Sequence, residues 1–279
     1  MKKAIDAYDQ LGKIIEVESW LEEHGLKVHN TRYTGAKKLL SQGVQAGEID
    51  EDQMVPFQWA LLELDDYLQI YEYLRNVTHR RFLDTLAKSL KGPHQNKFEG
   101  KGADTAGRNF MFELVIAAKL AQLGFDVSFD GDADATLKID KYIIHVECKQ
   151  PLGANMNALL IDAFKQIRNR CEQAVVMKNE YGIAAICLTR YIAKESHRNG
   201  PLIAEQDAIE AEMKDTVSKF DFSNLRERFP QGIGVITHFA LPFWTPDDMR
   251  LNMLRRFDFH QLLPNNHEAV QTIQKQWCA

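Results

Sequence analysis

Residues 109–150 have the sequence NFMFELVIAAKLAQLGFDVSFDGDADATLKIDKYIIHVECKQ, and they decide the fold predicted for this chain. Apolar residues recur at helical spacing over residues 110–123, and Gly124 follows as a C-cap. Three short segments with alternating apolar residues come next, at residues 125–129, 135–139 and 142–148. The stretch therefore predicts a helix followed by three strands that are joined by tight turns.

The last of these strands carries ionisable residues on one face. Because side chains alternate along a strand, His145, Glu147 and Lys149 point to the face opposite Ile144 and Val146. Three ionisable groups on an apolar strand are unfavourable unless they contact water, a metal ion or one another. The pattern therefore indicates a functional site at the end of this strand.

The acidic residues of this hairpin resemble those of a known enzyme family. Asp134, then Glu147-Cys148-Lys149 at the end of the next strand, with Glu113 on the preceding helix, is similar to the PD-(D/E)XK nuclease superfamily. The resemblance covers residues 108–190, less than a third of the chain, and Ala133 stands where a proline would precede the aspartate. Asp132 is an alternative to Asp134, which we favour because it adjoins the strand.

The resemblance implies a Mg²⁺-dependent or Mn²⁺-dependent phosphodiesterase, with DNA endonuclease activity in restriction, repair or anti-phage defence as the expected role. Asp134, Glu147 and the backbone carbonyl of Cys148 would bind the metal, because hard cations prefer oxygen ligands. Lys149 would orient the attacking water, accept its proton or stabilise the developing charge. Glu113 would complete the site through a second metal or at its edge; the alternative is a half-exposed helix position.

Residues that could contact nucleic acid are expected on the helix predicted at residues 156–175 and in the loop of residues 92–107, just before the helix of Glu113. By the resemblance these are Gln166, Lys165, Arg170, Lys97 and Lys101, although an ordinary polar helix face explains Gln166 and Lys165 equally well. Residues 147–200 carry eight Lys or Arg and five Asp or Glu, a local charge of +3 in a chain of −5. A phosphate-binding face would need this local excess.

Composition limits the other classes of function. The overall charge gives no global signature of nucleic-acid binding, and no apolar run approaches the roughly 18 residues of a membrane span. The four cysteines lack C-x-x-C spacing, which is typical of reduced thiols in a cytoplasmic protein. None of Cys148, Cys171 and Cys187 is expected to have the partners of a zinc site.

The predicted fold class is α/β (α+β), a restriction-endonuclease-like mixed central sheet flanked by helices. Residues 1–98 are expected to be mostly helical and to serve recognition, homodimerisation or regulation, whereas residues 99–279 would form the nuclease-like domain. Further strands are predicted at residues 181–188 and 232–243, and a long helical run at residues 59–90 is expected to break near residues 76–78. A short helix is expected to begin at Pro246, and Asn265 to cap a last one.

Two other classes of function remain open on the sequence. The chain could keep the nuclease fold without hydrolysis and only bind nucleic acid or a protein partner. It could also be a structural protein whose acidic hairpin faces solvent. The combination of Asp134, Glu147 and Lys149 argues against the first alternative, because these charges are costly on a strand that binds no metal. Failure to bind Mg²⁺ or Mn²⁺ would favour both alternatives over the enzyme.

Overall fold

A computed structural model describes residues 7–46, 49–92, 106–151, 155–173, 179–196, 201–247, 249–264 and 267–278. Helices and strands occur in the order α1 (Ala7–Glu23), α2 (Arg32–Ala46), α3 (Glu51–Leu74), α4 (Arg80–Ser89), α5 (Ala106–Gln122), β1 (Asp126–Ser128), β2 (Ala135–Ile139), β3 (Tyr142–Lys149), α6 (Met156–Gln173), β4 (Glu180–Cys187), α7 (Thr189–Ser196), α8 (Gln206–Ser218), α9 (Phe222–Arg228), β5 (Gly232–Trp244), β6 (Leu251–Gln261) and α10 (Glu268–Cys278). The mixed α/β class and the helical N-terminal region are thereby confirmed. No described helix combines the length and the apolarity that crossing a membrane requires.

The strands form a mixed six-stranded sheet in sequence order, β1 to β6. β1, β2 and β3 pair antiparallel as two hairpins, whereas β4 pairs parallel with both β3 and β5. A parallel pair needs a crossover connection, and α6 supplies it between β3 and β4. β5 is buried along its whole length, which agrees with the apolar run that predicted it.

Gly182 lets α6 pack closely on the sheet. α6 lies against β3 and β4, and its buried residues recur at helical spacing from Met156 to Cys171. A Cβ atom at Gly182 would lie 2.2 Å from Cγ2 of Ile167 on α6. The missing side chain therefore sets how near the helix approaches the face of β3 and β4 on which the predicted site lies.

The chain divides into two compact units. The first comprises Met1–Val115, Ala193–Glu212 and Ala240–Arg255, and the second comprises Ile116–Ile192, Met213–Phe239 and Arg256–Ala279. The division falls inside α5, α7, α8, β5 and β6. The predicted boundary near residue 98 lies among residues 93–105, outside the described residues, and stays a prediction.

The first unit contains buried ion pairs that the sequence pattern does not reveal. Glu63 on α3 is 1 % exposed and accepts hydrogen bonds from Arg32 and, at 2.9 Å, from Arg108. Arg255 donates to Asp65 at 3.0 Å and to Asp66. Burial is the main cause that raises the pKa of Asp66 to about 6, against the opposing charge of Arg255. These arginines supply the positive charges that neutralise the buried acidic residues of α3.

Of the two helices predicted beyond β5, the last is confirmed as α10 and the first is not. The helix expected at Pro246 is wrong, because Pro246 lies in a turn and the chain continues as β6. Leu251 and Leu254 lie three residues apart, as on a helix, and thereby obscure the alternation of Phe257 and Phe259 on a strand. All residues of β6 are half-exposed, so the strand lacks the apolar run that marks a buried strand. Asn265 lies outside the described residues.

We expect Gly182→Ala to lower the free energy of unfolding by about 1–3 kcal/mol, the usual cost of overpacking a core. The added methyl group must displace the branched side chain of Ile167. Gly12→Ala is the control, because Gly12 lies on α1 with no atom within 4 Å of an added Cβ. That substitution should be neutral or stabilising by up to about 1 kcal/mol. Urea denaturation measures both, and equal stability of the Gly182→Ala and wild-type chains would contradict the packing described.

Candidate active site

The register of the β2–β3 hairpin brings Asp134 and Glu147 together. Ala135 is paired with Val146 in the antiparallel ladder. Asp134 directly precedes Ala135, and Glu147 directly follows Val146. The same register therefore places the two acidic residues opposite each other. Opposite residues share one face of a sheet, with Cβ atoms about 4.5–5.5 Å apart. The hairpin therefore presents two carboxylates to one place.

Asp134 is held in this position by the backbone of β3. The N–H of Cys148 donates to Asp134 Oδ2 at 2.7 Å. In an extended strand the N–H and C=O of one residue point to the same side, so the Cys148 carbonyl, a predicted metal ligand, is directed toward the side of Asp134. Asp132 is exposed and offers its backbone carbonyl to Arg170 at 2.9 Å. These contacts favour Asp134 over Asp132 as the ligand.

Glu147 is buried, with 2 % of its surface exposed. Arg170 on α6 contacts its Oε1 twice, through Nε at 2.8 Å and Nη2 at 2.6 Å. Burial first, and then the charge of Asp134, raise the pKa of Glu147 to about 7, although Arg170 and Lys149 oppose the shift. The Glu147 carboxylate therefore lies under α6 and has Arg170 as its charge partner.

Lys149 lies two residues further along the same face of β3. Its ammonium group donates to Gln166 Oε1 on α6 at 2.7 Å and lies 3.6 Å from Asp162 Oδ2. Gln166 was predicted as a nucleic-acid contact, and the structure places it beside Lys149. Lys165, its neighbour, is exposed on α6. The helix that follows the strand therefore supplies a partner for each charged residue at the end of β3.

For three residues of the predicted site, a part in the site stays a prediction. Glu113 is half-buried on α5 and belongs to the first compact unit, so its part in the site stays a prediction. Lys97 and Lys101 lie outside the described residues. Arg170, predicted to contact nucleic acid, is engaged with Glu147 and with Asp132 within the protein.

The sequence missed a second cluster of potential metal ligands beside this site. His145, Cys171 and Glu180 each offer a ligand atom, and these atoms lie within 4.8 Å of one another. The expectation that Cys171 has no zinc-ligand partners is therefore wrong. His145 was noticed on the sequence because it alternates with Glu147, but Cys171 and Glu180 join it only through the crossover of α6 and the parallel pairing of β4.

Comparison of the chain with protein-family models, with curated proteins and with solved structures finds no match. The functional interpretation therefore depends on the side chains of the site and on their geometry.

We expect Glu147 to make folding stability fall as the pH rises. Its pKa in the folded protein, about 7, exceeds its ordinary value of 4.5, so the folded state holds the proton more tightly than the unfolded state. The stabilisation is complete below about pH 4.5 and is lost as the pH rises through about 7. A shift of this size corresponds to about 3 kcal/mol in total.

Glu147→Gln removes the titrating group and keeps the shape of the side chain. Chemical denaturation of both chains at pH 4.5 and at pH 7.5, without divalent cations, gives the difference in unfolding free energy at each pH. Between pH 4.5 and pH 7.5, the unfolding free energy of the wild type should fall by about 2–3 kcal/mol relative to that of Glu147→Gln. Groups such as Asp66 titrate alike in both chains and cancel. A difference that does not change with pH would refute the assignment of the pKa to Glu147.

Proposed function

We propose that this chain is a metal-dependent nuclease that hydrolyses phosphodiester bonds of nucleic acid, with DNA endonuclease activity as the favoured form. The observation that carries the proposal is the position of Asp134 and Glu147 directly beyond the Ala135–Val146 pair, with Lys149 next on the same face of β3. The helix α6 follows this strand and turns polar residues to it, as the resemblance to the PD-(D/E)XK superfamily implies.

The oxygen atoms gathered at the hairpin fit a hard divalent cation. Asp134, Glu147 and the Cys148 carbonyl would hold Mg²⁺ or Mn²⁺. The two carboxylates repel each other strongly enough to contribute to the raised pKa of Glu147, and a cation between them would relieve this repulsion. Both contacts of Arg170 are to Oε1 of Glu147, which leaves Oε2 as the ligand atom. When bound, the ion supplies a water of lowered pKa and polarises the phosphate.

Lys149 is the residue that would act on the attacking water or on the developing negative charge. Its side chain is only 18 % exposed, and its ammonium group is directed by the hydrogen bond to Gln166. A cation held in place stabilises charge in the transition state better than a mobile one, because it needs no reorganisation. Gln166 is therefore a positioning residue for Lys149 in this proposal.

The face around α6 would receive the phosphate backbone. Residues 147–200 have a local charge of +3, and Lys165 is exposed on α6 beside Gln166. Cationic side chains next to the hydrolytic residues would bind the polyanion without reading its sequence. Restriction, repair and anti-phage defence all agree with such a site.

A second candidate function is binding of nucleic acid or of a protein partner without hydrolysis. The observation in its favour is the Arg170 guanidinium on Glu147, which already supplies a positive charge where the metal would bind. A scaffold whose acidic hairpin faces solvent is less compatible with the buried Glu147. Purified protein assayed on plasmid, linear duplex, single-stranded DNA and RNA, with Mg²⁺ and with Mn²⁺, separates the nuclease from the binding protein.

We expect Lys149→Met to lower the rate of cleavage by about 10²–10⁴-fold and to leave metal binding intact. Methionine keeps most of the length of the side chain and removes the charge, whereas Asp134 and Glu147 still offer their oxygens. Metal titration by calorimetry and cleavage rates on the preferred substrate measure the two effects. Glu147→Gln should instead lose metal affinity and activity together.

Lys275→Met is the matched control, because Lys275 is an exposed lysine on α10. It should cleave at the wild-type rate, and melting curves should show that all of these variants are folded. Cleavage by Lys149→Met at the wild-type rate would show that the site is assigned wrongly. Absence of Mg²⁺ and Mn²⁺ binding to the wild type would favour the binding protein over the nuclease.

A further inference from the structure

We propose that His145, Cys171 and Glu180 form a zinc site, separate from the pair of Asp134 and Glu147. The three residues come from β3, from the last turn of α6 and from the start of β4. All three lie in the second compact unit. The proposal does not depend on nuclease activity, because none of these residues belongs to the hydrolytic set.

The three ligand atoms lie near enough for one zinc ion to bind them after rotation of the side chains. The ligand atoms lie within 4.8 Å of one another, and His145 Nε2 is 2.8 Å from Glu180 Oε2. Two ligands about 2.0–2.1 Å from one zinc ion lie roughly 3.3 Å apart at tetrahedral angles. The imidazole and the carboxylate therefore need to separate by about 0.5 Å, which rotation of the two side chains provides.

Burial favours a specific site over a surface cluster. Cys171 is 3 % exposed, and the side chains of His145 and Glu180 are each 14 % exposed. The half-buried imidazole and carboxylate leave a path from solvent for the ion and for a water molecule. Three protein ligands with a water in the fourth position are a common form of zinc coordination.

The combination of donor atoms selects zinc over magnesium. Thiolate and imidazole are soft or borderline ligands that suit zinc, whereas Mg²⁺ prefers oxygen ligands alone. Asp134, Glu147 and the Cys148 carbonyl offer only oxygen atoms, so the two sets of ligands would take different metals. Cobalt(II) occupies zinc sites and makes the thiolate bond visible in an absorption spectrum.

Binding requires one proton to leave the protein and another to change position. The thiol proton of Cys171 is released to solvent when the sulfur–zinc bond forms. Glu180 favours the ring proton on Nε2, but the Nδ1 atom of His145 is buried without a hydrogen-bond partner among the described residues, so no acceptor or donor there prevents the proton from moving to Nδ1. The ring proton can therefore move from Nε2 to Nδ1 and free the Nε2 lone pair for the metal.

A zinc ion here would fix the last turn of α6 against two strands. Cys171 directly follows Arg170, whose guanidinium holds Glu147. A metal bond at Cys171 would therefore restrain the turn that presents Arg170. The ion would act as a structural link of the crossover between β3 and β4.

The test uses the full chain with Cys278→Ser as the background, since Cys278 is an exposed thiol. Zinc titration followed by metal analysis should give one zinc per chain, and cobalt(II) should give a thiolate-to-metal absorption band. Cys171→Ser should abolish the band. Loss of an outer-shell partner typically weakens metal binding by about 10–100-fold, and loss of Cys171, a direct ligand in this proposal, should weaken zinc binding by more than that. Cys187→Ser is the matched control, because Cys187 is also 3 % exposed, and it should keep both the band and the affinity.

Glu180→Gln guards against a Cys171 variant that fails to fold. It keeps the shape of the side chain, and zinc should raise its melting temperature less than that of the background chain. Substoichiometric zinc in the background chain, or a cobalt band that persists in Cys171→Ser, would overturn the proposal. Asp134→Asn should keep the zinc and lose Mg²⁺-dependent cleavage, so failure of the nuclease proposal and failure of the zinc proposal are distinguishable.

Discussion

The buried carboxylate of Glu147 constrains the arrangement around it more than any other group of the candidate site. A carboxylate that is 2 % exposed must be protonated or matched by a cation, and Arg170 supplies the cation from α6. For Arg170 to reach Glu147, the helix must lie close over the strands. Gly182 permits this approach, because any side chain there would meet Ile167. The crossover that places β4 beside β3 and the charge balance of the site therefore depend on the same contact.

Asp134 adds a second negative charge beside Glu147. Its charge acts with burial to raise the pKa of Glu147, while Arg170 and Lys149 lower it. One arginine does not fully compensate two carboxylates that face each other across a hairpin. A proton and a divalent cation are the two remaining ways to neutralise the pair, and they compete. This competition is the physical basis for treating the hairpin as a metal site, although Arg170 on Glu147 also suits a protein that binds without hydrolysis.

The sequence predicted those parts of the fold that depend on neighbouring residues. The hairpin of Asp134 and Glu147 follows from alternation over two adjacent strands. The break after α3 follows from the length of the apolar run, because one helix over residues 59–90 would be unusually long for a globular domain. Partners from distant segments could not be predicted in this way. On the sequence, Arg170 has the pattern of a solvent-facing residue on α6. Arg32 and Arg108, which donate hydrogen bonds to Glu63 on α3, lie far from it along the chain. No local period records such pairings, because they arise only when helices pack.

The same limit explains why the cluster at Cys171 escaped the sequence. A zinc motif is recognised when its ligands recur at short spacing, whereas His145, Cys171 and Glu180 are separated by a helix and brought together by a parallel pair of strands. Adjacent positions on α6 then serve two groups of different chemistry: Arg170 contacts a carboxylate, and Cys171 faces an imidazole and a second carboxylate. Because a thiolate discriminates against magnesium and an all-oxygen site does not favour zinc, the two proposed metal sites can lie on one strand face without exchanging ions. A shift of α6 that weakened one would disturb the other, so the last turn of this helix is the part of the fold through which the two proposed sites would be coupled.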